Sequence, residues 1–234
     1  MTFVKGLQRN QLVSIDERAW TQIEDRAWDA EAQEILAHWR INRLPLVVCR
    51  QRTETASDQL CIGLPAPQQW SKRRLALTVN ADHLTACAAF PTLMQVAQAN
   101  HWGPAALDLS EALSNMGTQA HVYGSHGWQS LTGLSYLHAA SDLDLSLGVT
   151  SLAMAAQVVQ QLASTQLHCR IDGEIVFSQG PAIAWRELQQ LLQGQTSQVL
   201  VKDRHSIRLA SLEDVRRLGD GAQLADPEAA LALT

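Results

Sequence analysis

The spacing of apolar residues changes period several times along the chain. Val13–Ile15 predicts a short strand, and Asp16 to Arg40 then places Trp20, Ile23, Ala27, Trp28, Ile35 and Trp39 at roughly helical spacing, as one long amphipathic helix broken at most once. Pro45 opens a β-rich stretch in which Leu46–Arg50, Leu60–Leu64 and Arg73–Val79 are separated by the polar or proline-containing turns Thr53–Asp58 and Pro65–Ser71. Asn80 and Asp82 carry the side chains of helix N-caps, and the Ala/Leu-rich sequence after them predicts helix through Asn100 and again from Pro104 to Met116. A boundary near residue 80 therefore separates a small α/β unit, 1–80, from a second domain, 81–234.

Beyond Gly117 short strands alternate with helices. Strands are expected at His121–Tyr123, Leu143–Leu147, Leu167–Ile171, Glu174–Phe177, Gln198–Lys202 and Ser206–Leu209, and helices at Gly127–Leu134, Ser151–Leu162 and Ala182–Leu192. Alternation of this kind implies a mixed or antiparallel sheet with helices packed on it, so the fold class is α/β (α+β). The tail from Gly219 to Thr234 carries no such pattern and is expected to be loosely ordered.

Composition narrows the function classes. With 46% hydrophobic and 18% charged residues in 234, the chain has the profile of an ordinary globular protein. Its 18 basic and 23 acidic side chains leave a formal charge of −5, which argues against nucleic-acid binding through a bulk positive field. The apolar run Leu44–Cys49 falls far short of the ~20 residues that span a bilayer. The first fifteen residues hold Lys5 and Arg9 but no apolar block, so a cytoplasmic protein without membrane contact is expected. Cys49, Cys61, Cys87 and Cys169 form no CxxC pair and are read as reduced thiols. His121, His126, His138 and His168 lack zinc-site spacing, Ser125 is not in GxSxG, and no GxxxxGK[ST] occurs. Trp20, Trp28 and Trp39 are read as packing residues.

The chemistry concentrates in two segments. Val122-Tyr-Gly-Ser-His-Gly-Trp-Gln-Ser-Leu-Thr-Gly contains Gly124 and Ser125 at a strand-to-helix turn, where the backbone can approach a phosphate and the helix offers free N–H groups. In Asp142-Leu-Asp-Leu-Ser-Leu, a strand that buries Leu143, Leu145 and Leu147 presents Asp142 and Asp144 together on the other face, about 6.6 Å apart at Cα. Two carboxylates at that spacing can reach one Mg²⁺, a metal that favours few carboxylates plus phosphate oxygens. Asp172 is the candidate third carboxylate, although Asp172-Gly173 also reads as a hairpin turn. Lys72, Arg73 and Arg74 make the densest basic cluster; on a strand Lys72 and Arg74 share a face, to grip polyphosphate or an acidic protein, or simply to guard a sheet edge. Lys202, at the end of an apolar strand, is a further phosphate candidate.

The Gly124-Ser125 turn coupled to the Asp142–Asp144 strand resembles the nucleotidyltransferase superfamily related to DNA polymerase β, with a longer insertion of sixteen residues between Ser125 and Asp142. Taken with Arg43-Leu-Pro-Leu-Val-Val-Cys-Arg-Gln, Ile62-Gly-Leu-Pro-Ala-Pro and Lys72-Arg-Arg-Leu-Ala-Leu, the chain from about Arg9 to Leu209 resembles the malonate decarboxylase holo-acyl-carrier-protein synthases, or phosphoribosyl-dephospho-CoA transferases. The opening Arg9-Asn-Gln-Leu-Val-Ser departs from the His-Asp-Leu-Leu-Trp type of start in that family. The resemblance implies a nucleotidyltransferase-like C-terminal domain and transfer of a phosphoribosyl-dephospho-CoA group from triphosphoribosyl-dephospho-CoA. The acceptor it implies is a serine of the apo acyl carrier subunit of malonate decarboxylase, with pyrophosphate released. It implies Mg²⁺ on Asp142 and Asp144 with a third carboxylate, for which Asp172 is the candidate, and triphosphate on the Gly124-Ser125 turn. Lys72, Arg74 and Lys202 are the further substrate-phosphate candidates among the basic residues, although an exposed strand end explains Lys202 as well. The citrate lyase counterpart and a silent binding protein of the same fold remain the alternatives.

Overall fold

The computed structural model describes residues 6–52 and 54–220; of the expected C-terminal tail, residues 221–234 lie outside the described residues. Two sheets organise the described residues. The first has five antiparallel strands in the order β4-β3-β2-β1-β5: β1 (Leu12–Ile15), β2 (Leu46–Val48), β3 (Gln59–Pro65), β4 (Arg74–Asn80) and β5 (Leu84–Ala88). Helices α1 (Glu17–Glu24) and α2 (Ala30–Ile41) occupy the span expected to be one long helix with a single break. Asp16 and Asp29 cap them, each accepting a hydrogen bond from the backbone N–H three residues on, at 2.9 and 3.0 Å. Trp20, Ile23, Ile35, Leu36 and Trp39 are buried with Leu60, Ile62, Leu64, Leu75 and Leu77 of the sheet.

Three expectations are corrected. The segment expected to be helical from Asn80 holds only a single 3₁₀ turn at 81–83, capped by Asn80, before the chain returns as β5 beside β1, with Val13 opposite Cys87. Alanine favours helix only weakly, and the unpaired edge of β1 supplies ladder hydrogen bonds that outweigh it. Helix resumes at Thr92, whose capping box with Gln95 starts α3 (Leu93–Ala99).

The second sheet has six strands in the order β11-β10-β9-β8-β7-β6: β6 (Ala120–Tyr123), β7 (Leu143–Val149), β8 (Ile171–Phe177), β9 (Ala182–Ala184), β10 (Gln198–Lys202) and β11 (Ile207–Ser211). Only the β7–β8 pair is parallel, and α6 (Leu152–Ser164) makes the crossover between them. The second correction falls here: the two strands expected at Leu167–Ile171 and Glu174–Phe177 are one continuous β8, so Asp172-Gly173 is not a hairpin turn. Gly173 has φ +130°, and a Cβ there would overlap the Leu145 carbonyl, so glycine permits the close approach of β8 to β7. The third concerns Ala182–Ala184, which are strand rather than helix because they fill the gap between β8 and β10; α7 (Trp185–Leu192) begins only afterwards.

Leu143, Leu145 and Leu147 are fully buried in a core shared with α3, α4 (Pro104–Asn115), α6 and α7, so the polar face of β7 points the other way. Helix α5 (Gly124–Thr132) joins the two units. Its Trp128, and Tyr136 beyond it, are buried in the first unit's core, with Phe90 edge-on to Trp128 at 5.5 Å between ring centres. A closing helix, α8 (Leu212–Gly219), starts at a Ser211–Asp214 capping box. Cys61 is buried, the other three cysteines are half-buried, and all four are free. Among the described residues no helix is long and apolar enough to cross a membrane.

Candidate active site

Register places a row of polar side chains across three strands. Tyr123 of β6 lies opposite Asp144 of β7, and Asp144 lies opposite Asp172 of β8. Directly opposed residues share a sheet face, so the row stands on the side away from the leucine core, with Glu174 two positions beyond Asp172. Burial, reinforced by the Asp172, Asp142 and Glu174 carboxylates, raises the Asp144 pKa to about 6. Tyr123 is pushed far up, first by burial and then by Glu174 and Asp144, so its phenol stays protonated as a donor at neutral pH.

Gly124 closes this row from above. It is the first residue of α5, has φ +60°, and a Cβ on it would overlap Oδ2 of Asp144 and lie 2.8 Å from its Cγ. The absent side chain is therefore what lets the N-terminus of α5 rest against the carboxylate. Ser125 follows, and no side chain caps the helix, which leaves its first N–H groups available to an anion.

A cavity of about 570 Å³ opens between the two sheets. Tyr123, Gly124, Ser125 and Asp144 line it from the second unit and Lys72 and Arg74 from the first. The structure thus brings together five of the candidate residues: Lys72, Arg74, Gly124, Ser125 and Asp144. Asp142, Asp172 and Lys202 do not line the cavity. Asp142 is bound by the Arg170 guanidinium, whose Nε donates at 3.0 Å and whose Nη2 makes a second bond, and this holds the carboxyl below its usual range. The same Nη2 lies 3.5 Å from Asp172 Oδ2. Lys202 Nζ is 3.3 Å from Glu174 Oε1.

The basic cluster is not a single strand face. Ser71 and Lys72 both sit in the left-handed region, at φ +55° and +53°, and β4 begins only at Arg74. Arg73 turns away to Asp29 and Glu31 at the start of α2.

Comparison with known proteins settles the kinship of this arrangement. A family model described as the phosphoribosyl-dephospho-CoA transferase MdcG C-terminal domain matches residues 88–213, and the corresponding N-terminal domain model matches 8–90. The chain belongs to the phosphoribosyl-dephospho-CoA transferase family. It is 33% identical over 205 residues to the phosphoribosyl-dephospho-CoA transferase of Bradyrhizobium diazoefficiens, covering 84% of this chain and 90% of that protein. The Xanthomonas axonopodis pv. citri protein of the same name is 37% identical over 198 residues, covering 80% and 89%, and that of Pseudomonas fluorescens is 30% identical over 181, covering 74% and 83%. No solved structure matches the chain significantly.

The polar row of this transferase-family chain can be weighed against Mg²⁺. Among the described residues no three Asp, Glu, His or Cys side chains gather into a ready-made metal cage. Mg²⁺ does not require one, since one or two carboxylates plus substrate phosphates and water complete its shell. Asp144 stands against Gly124 on the cavity wall with Asp172 directly opposite it on β8, and these two carboxylates together with substrate phosphates make a donor set that fits the ion.

Three residues of the site were not singled out by sequence. Glu174 is buried and accepts from Arg9 as well as Lys202, so one carboxylate gathers a cation from each unit. Its signal was the strand period of two from Asp172. Tyr123 had no signal beyond preceding Gly124, and Arg9 had none at all, because it meets Glu174 across 165 positions.

Proposed function

We propose that this chain transfers the 2′-(5-phosphoribosyl)-3′-dephospho-CoA group from its 5-triphosphate precursor to a serine of the apo acyl carrier subunit of malonate decarboxylase, releasing pyrophosphate, in the cytoplasm. Family membership supports the transferred group. The observation that carries the mechanism is the seating of Gly124 against Asp144 on the wall of the cavity, an uncapped helix N-terminus beside a carboxylate.

In the proposed reaction the serine Oγ attacks the α-phosphorus in line. A new P–O bond forms, the bond from the α-phosphorus to the bridging oxygen breaks, and pyrophosphate leaves with that electron pair. The hydroxyl proton passes to a carboxylate of the polar row, where Asp172 either takes it or binds metal beside the nucleophile. Ser125 and the first N–H groups of α5 donate to the leaving oxygens, where charge grows as the bond breaks. Tyr123, a phenol that stays protonated, lines the cavity beside Asp144 and offers substrate a donor there. Asp144 and Asp172, with Asp142 beside them, would hold Mg²⁺, which when bound offsets the charge of the triphosphate.

Mass spectrometry of the apo carrier subunit, incubated with this protein, the triphosphate precursor and Mg²⁺, tests the reading. A mass gain equal to the prosthetic group, with pyrophosphate released, is expected. An unmodified carrier would overturn it, and modification of the citrate lyase carrier in its place would overturn the acceptor.

A further inference from the structure

The cavity has two chemically distinct walls. One holds Asp144 and the start of α5; the other holds Lys72 and Arg74, which belong to the first unit. Among the described residues no carboxylate pairs with Lys72 or Arg74, whereas Arg73 between them is held by both Asp29 and Glu31. The turn that carries Lys72 is fixed. Ser71 N–H donates to Gln68 O at 3.1 Å, Lys72 N–H to Pro67 O at 3.2 Å, and Ser71 Oγ to Glu31 at 3.1 Å. Two consecutive non-glycine residues in the left-handed region are costly, and here they turn Lys72 and Arg74 to the cavity while Arg73 anchors the turn. Apart from Asn10 and Gln68, much of the remaining surface is apolar and aromatic, from Leu64, Pro65, Phe90, Trp128 and Tyr136; Tyr136 donates from its hydroxyl to Pro65 O at 2.8 Å and holds that wall in place.

A triphosphate alone leaves part of this cavity unused. Its α-phosphorus belongs beside Asp144, so the two free cations and the apolar wall need a second anionic group joined to a flat, apolar body. Dephospho-CoA has those parts, an adenine ring and a diphosphate. We infer that Lys72 and Arg74 form a second phosphate subsite, which holds the diphosphate of the dephospho-CoA arm while the aromatic wall takes its adenine. The inference rests on the function proposed above and names which arm of the substrate these cations read.

Titration calorimetry of the full chain with two probes tests it. Dephospho-CoA carries the diphosphate and adenine without the triphosphate, and inorganic tripolyphosphate with Mg²⁺ carries the reverse. Lys72→Gly suits the left-handed backbone and Arg74→Gln keeps hydrogen-bonding capacity, so each removes a charge without straining the turn. Each should weaken dephospho-CoA binding by about ten-fold, the loss of one charge-assisted hydrogen bond, and leave tripolyphosphate binding within two-fold. The wild-type dephospho-CoA affinity should also fall with salt. Three results would overturn the inference: no dephospho-CoA binding by wild type, unchanged binding in both variants, or loss of tripolyphosphate binding alone, which would assign the cations to the triphosphate. Should one variant not fold, the other reads the same outcomes. The proposed transfer is scored separately, by the mass of the carrier, so either idea can fail alone.

Discussion

Gly124 and Asp144 are packed so closely that the glycine's missing Cβ is where the Asp144 carboxylate stands. Any side chain at position 124 must displace that carboxylate or shift the first turn of α5. The left-handed φ of +60° adds backbone strain for every residue except glycine. Gly124→Ala is therefore expected to fold, because α5 remains anchored by Trp128 in the first unit's core, yet to lose prosthetic-group transfer by 100-fold or more. Circular dichroism alongside the transfer assay checks this; a variant transferring at wild-type rate would show that Asp144 need not hold its position.

Asp144 makes the metal-free protein sensitive to pH. Its folded pKa of about 6 stands above the ordinary 3.8, so the stability it contributes is complete below pH 4 and is lost as pH rises through 6. Asp144→Asn keeps the shape and removes the charge. Without metal, the variant should melt higher than wild type at pH 7.5 and match it at pH 4. The gap is about 1–2 kcal/mol once partial exposure is allowed for. It should also abolish most transfer. Parallel melting curves for the two proteins across this range would disprove the assignment.

Ser125→Ala is expected to slow transfer without stopping it. Loss of one hydrogen bond to the leaving pyrophosphate costs on the order of 1.5–3 kcal/mol, or roughly 10–150-fold in rate. Rates measured with saturating carrier test this, and a covalent intermediate trapped on Ser125 would refute direct in-line transfer.

Glu174 ties the two units together, since its buried carboxylate receives both Arg9 and Lys202. Replacing it with Ala leaves two cations without their partner, at a cost of about 3 kcal/mol. Glu174→Gln retains an acceptor and should recover part of that loss. Urea unfolding checks the order, with Glu174→Gln between wild type and Glu174→Ala; equal stability of all three would show that the cluster contributes nothing.

Local pattern carried a good deal of this protein's organisation. The alternation in Asp142–Leu147 determined which side of β7 is core and which is chemical, because strand periodicity alone assigns the faces. The helical period over residues 16–40 was legible too, but not the place of its break: residues 25–29 leave the helix, so Ala27 is exposed and Trp28 only half-buried, and a new helix starts after Asp29. Gly124 and Ser125 were legible as a strand-to-helix turn, for the same local reason. What sequence could not supply was pairing across distance. β5 is a strand because β1 offers it an edge, and Asp172 escapes a hairpin because Gly173 lets β8 press against β7. Arg9 reaches Glu174, Arg170 occupies Asp142, and Lys72 and Arg74 face Asp144 across the cavity only once the two sheets are docked through α5. Those contacts depend on strand register and on one unit packing against the other. Neither leaves a periodic trace in the order of residues, so the face of the site was written locally and its charge partners were decided by the tertiary fold.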